Sequence, residues 1–351
     1  MKKKILIFVQ DGVGGAERMS VLIGKNLDFS KYDVRFYLVE RFVKSSISDF
    51  IPDGMYIKRI GNKNQFHLIW NIVSTIIRER PYAVFSSVFN LSNKYLPFRR
   101  LFPKTKVIVR CDNYLYTYKG MQQKMITKFY PKADCIIAQT QEMKDELVLS
   151  GIDESKIVVL QNPIDKQTIE KKLSIAISPF PYNGRKHFVA VGRFNQQKGF
   201  DLLIDAFIDA HSKKSDIDLY IVGDNTLGNG EIFNTIMQKA KYNDVGDLVH
   251  CVGYKDNPYA YIRYADCFVL SSRWEGLPNV LIESLYLGTP AAAFKCIPII
   301  ERIIDEGVTG FCANKEDVKS LSDAMINTLT LGRIVSTYKS AEIYDFTKLF
   351  D

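Results

Sequence analysis

Cysteine is sparse and unpatterned in this chain: Cys111, Cys135, Cys251, Cys267, Cys296 and Cys312 include no Cys-x-x-Cys pair. That scatter argues against a thiolate zinc site and a disulfide framework. Several of the six sit in apolar, strand-like runs, as expected of reduced, buried thiols in a cytosolic protein. The four histidines, His67, His187, His211 and His250, show no ligand spacing, so no structural metal site is expected. No stretch of about 18 consecutive apolar residues occurs, which argues against a transmembrane helix. The start, Met1-Lys2-Lys3-Lys4 then Ile5 to Val9, imitates a signal peptide. Its apolar run stops at Gln10-Asp11 and no small-residue cleavage site follows, so it reads as a first β-strand. Internal repeats and low-complexity segments are also missing.

What is present is a chain of 351 residues, 46% hydrophobic and 25% charged, too long for one ordinary core and composed like a two-domain globular protein. Its net charge of +8 is uneven. Through Lys166 there are 27 Lys and Arg against 16 Asp and Glu; the remainder has 20 against 23. In the basic half, Lys94 to Lys104 and Tyr114 to Lys132 interleave cations with aromatic and aliphatic residues. That composition suits an anionic membrane surface, where each basic residue contributes roughly 1 kcal/mol and aromatic rings favour the interface. No nucleic-acid-binding module accompanies it, so nucleic acid is not the expected partner. The plainer reading, lysines that keep the domain soluble, stays open beside membrane docking.

Apolar strand-like runs alternate with helical periodicity along the chain. Strands are expected at Ile5–Val9, Val34–Val39, Ala83–Ser87, Val107–Cys111, Cys135–Ala138 and Ile157–Leu160. A second series covers Phe188–Val191, Leu219–Val222, Leu248–Val252, Cys267–Leu270 and Ala291–Phe294. Between the series lies a segment of mixed charge with Pro179 and Pro181. The pattern predicts an α/β protein with an N-terminal Rossmann-like domain over 1–165 and a linker over 166–185. A C-terminal Rossmann-like domain over 186–330 faces the first across a cleft, and a tail over 331–351 follows.

The densest motif is Ser272-Arg273-Trp274-Glu275-Gly276-Leu277-Pro278-Asn279-Val280-Leu281-Ile282-Glu283. One glutamate falls in a Gly/Pro turn, and a second, eight positions on, falls in the first turns of a helix that Pro278 helps to start. The orphan N–H groups of such a helix end hold phosphate, with Asn279 and Val280 able to donate and Pro278 not. Upstream, the strand ending at Val191 runs into Gly192-Arg193-Phe194-Asn195-Gln196-Gln197-Lys198-Gly199 and then a helix. This places Arg193 and Lys198 at the ligand-binding end of an open α/β sheet. A diphosphate between two hydroxyl-rich rings fits such a set, while a glutamate in a turn and another on a helix are also ordinary solvated residues.

Val191-Gly192-Arg193 through Lys198-Gly199-Phe200-Asp201, Tyr220-Ile221-Val222-Gly223-Asp224, and Ser271 through Glu283 with Leu287-Gly288-Thr289-Pro290 resemble retaining glycosyltransferases of family 4. Gly14-Gly15-Ala16-Glu17-Arg18 is similar to that family's N-terminal loop. The resemblance implies the GT-B arrangement, with the tail over 331–351 packing back on the first domain, and a nucleoside-diphosphate sugar as donor, with UDP the expected nucleotide. It implies that Arg193 and Lys198 stabilise the leaving diphosphate, that Glu275 contacts the sugar hydroxyls, and that Glu283 accepts from ribose hydroxyls. Gly14 and Gly15 would let a loop approach the diphosphate closely. No cofactor or metal is implied, since no Asp-x-Asp triplet stands in a strand-end loop. Where relatives place a histidine after the strand Val107–Val109, this chain has Arg110-Cys111-Asp112-Asn113. Asp112 or Asn113 then becomes the acceptor-side candidate, or an Asx that satisfies its own backbone.

Leu277-Pro278-Asn279-Val280 together with Ile303 to Phe311 resembles bacterial enzymes of capsule, O-antigen and other surface glycans. These imply transfer of a hexose or N-acetylhexosamine to a lipid-linked glycan, at the inner face of the cell membrane. Three alternatives stand beside transfer: a scaffold subunit that binds nucleotide sugar without turnover, a nucleotide-sugar 2-epimerase, and a nicotinamide oxidoreductase. The last is suggested by Gly12-Val13-Gly14 with Glu40, although Glu17 occupies the third glycine position.

Overall fold

The computed structural model describes residues 2–12, 14–40, 46–61, 63–224 and 230–351; Met1 and Val13, which enter two of the comparisons above, lie outside them. The chain divides into two compact units, residues 1–163 with 340–351, and residues 164–339.

Unit 1 is built on a parallel sheet ordered β3-β2-β1-β4-β5-β6-β7. Its strands are β1 (Lys3–Gln10), β2 (Tyr32–Val39), β3 (Tyr56–Ile60), β4 (Ala83–Ser86), β5 (Lys106–Arg110), β6 (Cys135–Ala138) and β7 (Ile157–Val159). The continuous apolar run Ile5 to Phe8 is fully buried, as parallel strands covered on both faces require. Helices α1 (Gly15–Lys25), α2 (Gln65–Glu79), α3 (Phe89–Tyr95), α4 (Met121–Phe129) and α5 (Gln141–Leu149) connect the strands. The edge strand β3 carries no apolar run and is exposed along most of its length, so periodicity gave no sign of it.

Unit 2 has a parallel sheet ordered β10-β9-β8-β11-β12-β13. The strands are β8 (Lys186–Val191), β9 (Ile217–Val222), β10 (Val249–Gly253), β11 (Cys267–Leu270), β12 (Ala291–Phe294) and β13 (Gly310–Ala313). Its helices are α6 (Lys166–Leu173), α7 (Phe200–Lys213), α8 (Glu231–Tyr242), α9 (Pro258–Tyr264), α10 (Asn279–Tyr286), α11 (Ile300–Ile303) and α12 (Val318–Thr328). The strand order reverses between β8 and β11, which sets the loops after these two strands side by side. Ligands of doubly wound sheets bind at such a switch point.

The segment read as a linker, 166–185, is corrected in its first half. Asp165 accepts from the Thr168 N–H and starts α6, and the Lys172 carbonyl accepts from Asn257 at 2.8 Å, so this stretch is part of unit 2. The last twelve residues, 340–351, belong to unit 1 and carry α13 (Ile343–Thr347). Phe346 and Phe350 enter the core around Ile5, Ile7 and Phe85, and Tyr32 donates to the Phe350 carbonyl at 3.0 Å. All six cysteines are unpaired. No helix among the described residues is long and apolar enough to cross a membrane.

Candidate active site

The site in unit 2 starts from two loops held together by hydrogen bonds. After β8, Phe194 is buried edge-on against Phe200, and Asn195 Oδ1 accepts from the Lys198 N–H at 3.1 Å, closing a short 3-10 turn over Gln196–Lys198. Gly199 follows with φ +63, and a Cβ there would run into the Ser271 carbonyl, so the start of α7 requires glycine. From the second loop, Ser271 Oγ donates to the Lys198 carbonyl at 2.9 Å and the Arg273 N–H donates to the Gln197 carbonyl at 2.8 Å. Gln197 Nε2 donates back to the Trp274 carbonyl at 3.1 Å. Arg273 grips both carboxylate oxygens of Asp201 at 2.8 and 2.6 Å, which holds that carboxyl below its ordinary range.

This frame sets Lys198 Nζ 2.7 Å from Glu275 Oε1, and Ser272 Oγ donates to the same oxygen at 2.6 Å. Glu275 is 6% exposed. Its Oε2 has no partner among the described residues, so one carboxylate oxygen is anchored and the other is open to a donor hydroxyl. Beside the pair, burial pushes the Cys296 thiol up to about 12, so it is protonated and no nucleophile at neutral pH.

Helix α10 begins at Asn279, with Pro278 as its N-cap rather than its first residue. The Asn279 N–H is turned inward to the Leu277 carbonyl at 2.9 Å, and those of Leu281 and Ile282 go to the Pro278 carbonyl. This corrects the expectation that Asn279 offers its N–H to a phosphate. Among the described residues, the Val280 N–H is the amide of this turn with no acceptor. Glu283 lies in the second turn of α10, half-buried. The Arg193 side chain is exposed and has no hydrogen bond or ion pair among the described residues, while its carbonyl accepts from the Asn195 N–H at 2.8 Å; the contacts that unite Lys198, Ser272 and Glu275 do not include it.

Gly14 is the N-cap of α1 in an extended conformation (φ −127, ψ 172), and Gly15 is the first helical residue. A Cβ on Gly14 would strike the Glu17 carboxylate, so its absence serves local packing. That carboxylate covers the start of α1, where the pyrophosphate of a nicotinamide dinucleotide would have to sit.

At the end of β5, Asp112 Oδ1 accepts from Tyr118 at 2.6 Å and from the Phe89 N–H at 3.2 Å, and burial raises its pKa. Tyr118 stands later in the same loop, Phe89 opens α3, and the Asp112 backbone N–H also bears on this carboxyl. Sequence reading passed over Arg110, which is 2% exposed. Its Nη2 donates to Gln139 at 2.6 Å and Asn162 at 2.5 Å, while Nε and Nη1 have no partner among the described residues. Burial pulls this guanidinium down to about 10, still charged at neutral pH. Gln139 Nε2 donates to the Cys111 carbonyl at 2.7 Å, so the network fixes the loop that carries Asp112. Ser272, Arg273, Gln197 and Asp201 were also unassigned, although all flank the motifs that drew attention.

Comparisons with known proteins converge on one family. Residues 13–168 match the family described as Glycosyltransferase Family 4, and residues 174–342 match Glycosyl transferases group 1. An uncharacterized glycosyltransferase of Methanocaldococcus jannaschii is 31% identical over 230 residues, spanning 62% of this chain but only 52% of that relative. The amylovoran biosynthesis glycosyltransferase AmsD of Erwinia amylovora is 27% identical across 84% of this chain and 81% of its own length. An N-acetylgalactosaminyltransferase of Campylobacter jejuni, named for a diphospho-undecaprenol substrate, is 32% identical across 46% of this chain and 41% of its own length. Among solved structures, Anabaena HepE in complex with UDP-glucose superposes with TM-score 0.78 at 16% identity, covering 99% of this chain and 98% of that one. The chain belongs to the family 4-type glycosyltransferases: it is a transferase enzyme with an α/β GT-B fold.

Proposed function

We propose that the protein is a retaining glycosyltransferase of bacterial surface-polysaccharide synthesis. It moves a hexose or N-acetylhexosamine from a UDP-sugar to a lipid-linked glycan, without a metal ion. The observation that carries this reading is the half-engaged Glu275, anchored through one oxygen by Lys198 and Ser272 and open at the other. Support for the pathway comes from the AmsD relative, for the lipid-linked acceptor from the Campylobacter enzyme, and for UDP from the solved neighbour with UDP-glucose.

In this reading the bond between the anomeric carbon and the diphosphate breaks, and its electron pair leaves with the phosphate oxygen. Lys198 stabilises the charge that grows there, with Arg193 and the Val280 N–H assisting. The acceptor hydroxyl attacks the same face and its proton passes to the departing phosphate. No protein nucleophile takes part. Glu275 orients the sugar, Glu283 holds the ribose, and Asp112 orients the acceptor. The enzyme works at the cytoplasmic face of the membrane, attached through the basic unit 1.

The test is thermal shift of the purified protein against UDP, GDP, ADP and NAD, with and without Mg²⁺, followed by turnover of the Glu275→Gln variant. Stabilisation by UDP that ignores Mg²⁺, with loss of transfer in Glu275→Gln, is expected. Full transfer in Glu275→Gln would remove the residue from the mechanism.

A further inference from the structure

The sequence assigns membrane contact to Lys94–Lys104 and Tyr114–Lys132, but the structure buries four of the eight rings in those segments. Tyr95, Phe102, Tyr114 and Tyr130 all belong to the core. Among their other rings Phe98 is 40% and Tyr116 49% exposed, well below two rings on α2: Phe66 is 86% exposed and Trp70 71%, with Ile77 at 44% on the same helix. At about 100° per residue the three on α2 fall within about 40° of arc; Val73, about 20° beyond its edge, is already buried. The opposite side of the same helix, Leu68, Ile72, Thr75 and Ile76, is buried against unit 1. Helix α2 therefore has two apolar faces, and only one of them is covered.

Charge identifies what the second face meets. From Lys63 to Lys104 the chain has seven basic residues and one acid, Glu79. Glu79 lies on the covered side of α2 and is ion-paired with Lys4 and Arg35, both at 2.9 Å. Lys63, Arg78 and Arg80 flank the exposed stripe and are themselves exposed. Lys94 bonds Gln65 at 2.5 Å, which fastens the end of α3 to the start of α2. The turn that follows, Leu96–Leu101, presents Phe98, Leu101 and Arg100 to solvent. The start of α2 follows the C-terminal end of β3, on the edge of the sheet where α/β proteins bind their ligands. Aromatic and aliphatic side chains framed by cations match a bilayer surface that carries anionic headgroups.

We infer that the exposed face of α2, with Phe66 and Trp70 as its inserting side chains, is the surface by which unit 1 docks on an anionic membrane. This rests on the membrane-attached, lipid-acceptor reading above and names the face responsible. The experiment is flotation of the full chain with phosphatidylglycerol-containing and with pure phosphatidylcholine vesicles, comparing wild type with the Phe66→Ser/Trp70→Ser variant. Both side chains are solvent-exposed, and a retained thermal shift with UDP shows that the variant is folded.

Wild type is expected to float with the anionic vesicles, and the variant to bind them about tenfold more weakly or worse. The chain has two tryptophans, so in a Trp274→Phe protein the emission of Trp70 alone is expected to shift to the blue on anionic vesicles. A variant that floats like wild type overturns the inference and leaves membrane attachment standing through another surface. A wild type that floats with neither vesicle overturns both. A wild type that self-associates, and a variant that does not, with no vesicle binding by either, makes the face a contact between copies and also overturns the inference.

Discussion

Replacing Lys198 by methionine removes the ammonium while keeping most of the stem that lies over Gly192. Its partner Glu275 is left with Ser272 alone, its side chain 8% exposed and that of Lys198 16% exposed in the wild type. Uncoupling one member of a pair buried to this degree costs about 3 kcal/mol, the low end of the usual range because Lys198 retains some access to water. For a unit of this size that corresponds to a fall of about 6–12 °C in melting temperature. Glu275→Gln leaves an ammonium that reaches solvent more easily, so a smaller loss of about 1–2 kcal/mol is expected.

The Lys198→Met/Glu275→Gln double variant should then recover part of the sum, with a coupling energy of about 1–3 kcal/mol in the double-mutant cycle. The assay is calorimetric melting of the nucleotide-free protein, followed by UDP titration and turnover on the same samples. Turnover of Lys198→Met is expected to fall by more than its UDP affinity, because charge accumulates on the diphosphate only as the bond breaks. An unchanged melting temperature with additive single effects would refute the buried pair. Equal losses in affinity and turnover would reduce Lys198 to a binding residue.

Phe350→Ala should destabilise unit 1 by about 3–4 kcal/mol, since the ring is 1% exposed against Phe85; a melt that matches wild type would show the tail to be dispensable. Burial lowers the pKa of His187 and His250 below the ordinary 6.5, so the unfolded chain binds protons more readily than the folded one. Their contribution is complete above that pH and declines as pH falls below it; melting of His187→Phe should depend less on pH between about 7.5 and 5.5, and an identical slope would exclude the residue. Glu283→Ala should weaken UDP binding measured by calorimetry, and unchanged affinity would remove its ribose role.

The doubly wound architecture was legible because its central strands are continuous apolar runs. Cys135–Ala138, Cys267–Leu270 and Ala291–Phe294 coincide with the strands read from sequence. The edge strand Tyr56–Ile60 left no such trace, because a strand exposed along most of its length needs no apolar run. Helix α6 hid inside the supposed linker, its apolar content reduced to the buried Ile169 and the half-buried Leu173 and its start marked only by the Asp165 cap. At the site, Lys198 and Glu275 were named from motifs, but their pairing arises across 77 positions and depends on the β8–β11 switch point. Ser272, Arg273 and Asp201 went unassigned for the same reason, since their meaning is a contact between loops. The burial of half the rings in Lys94–Lys104 and Tyr114–Lys132 was not legible, because an interleaved composition does not say which ring points inward. Tyr114 and Phe66 read alike in a sequence, yet one is core and the other 86% exposed.

The contrast between the two cations at the site follows from how each is held. The Lys198 ammonium has three donors, and one of them goes to Glu275. Two remain for phosphate oxygens, just as Oε2 of Glu275 remains for a hydroxyl, so a donor can engage both groups without breaking the pair. Lys198 is therefore ordered without a ligand, and under the proposed mechanism its charge would meet the departing diphosphate with no reorganisation during bond cleavage. Arg193 is exposed and unpaired among the described residues, and ordering its side chain on a ligand costs up to about 2 kcal/mol of rotamer entropy. Under the proposed mechanism that cost would fall on donor binding, if Arg193 meets the diphosphate already in the ground state. On the proposed transfer mechanism the labour is then expected to divide: loss of Arg193 should act mainly on donor affinity, and loss of Lys198, fixed by Glu275 and Ser272, mainly on the rate of bond cleavage.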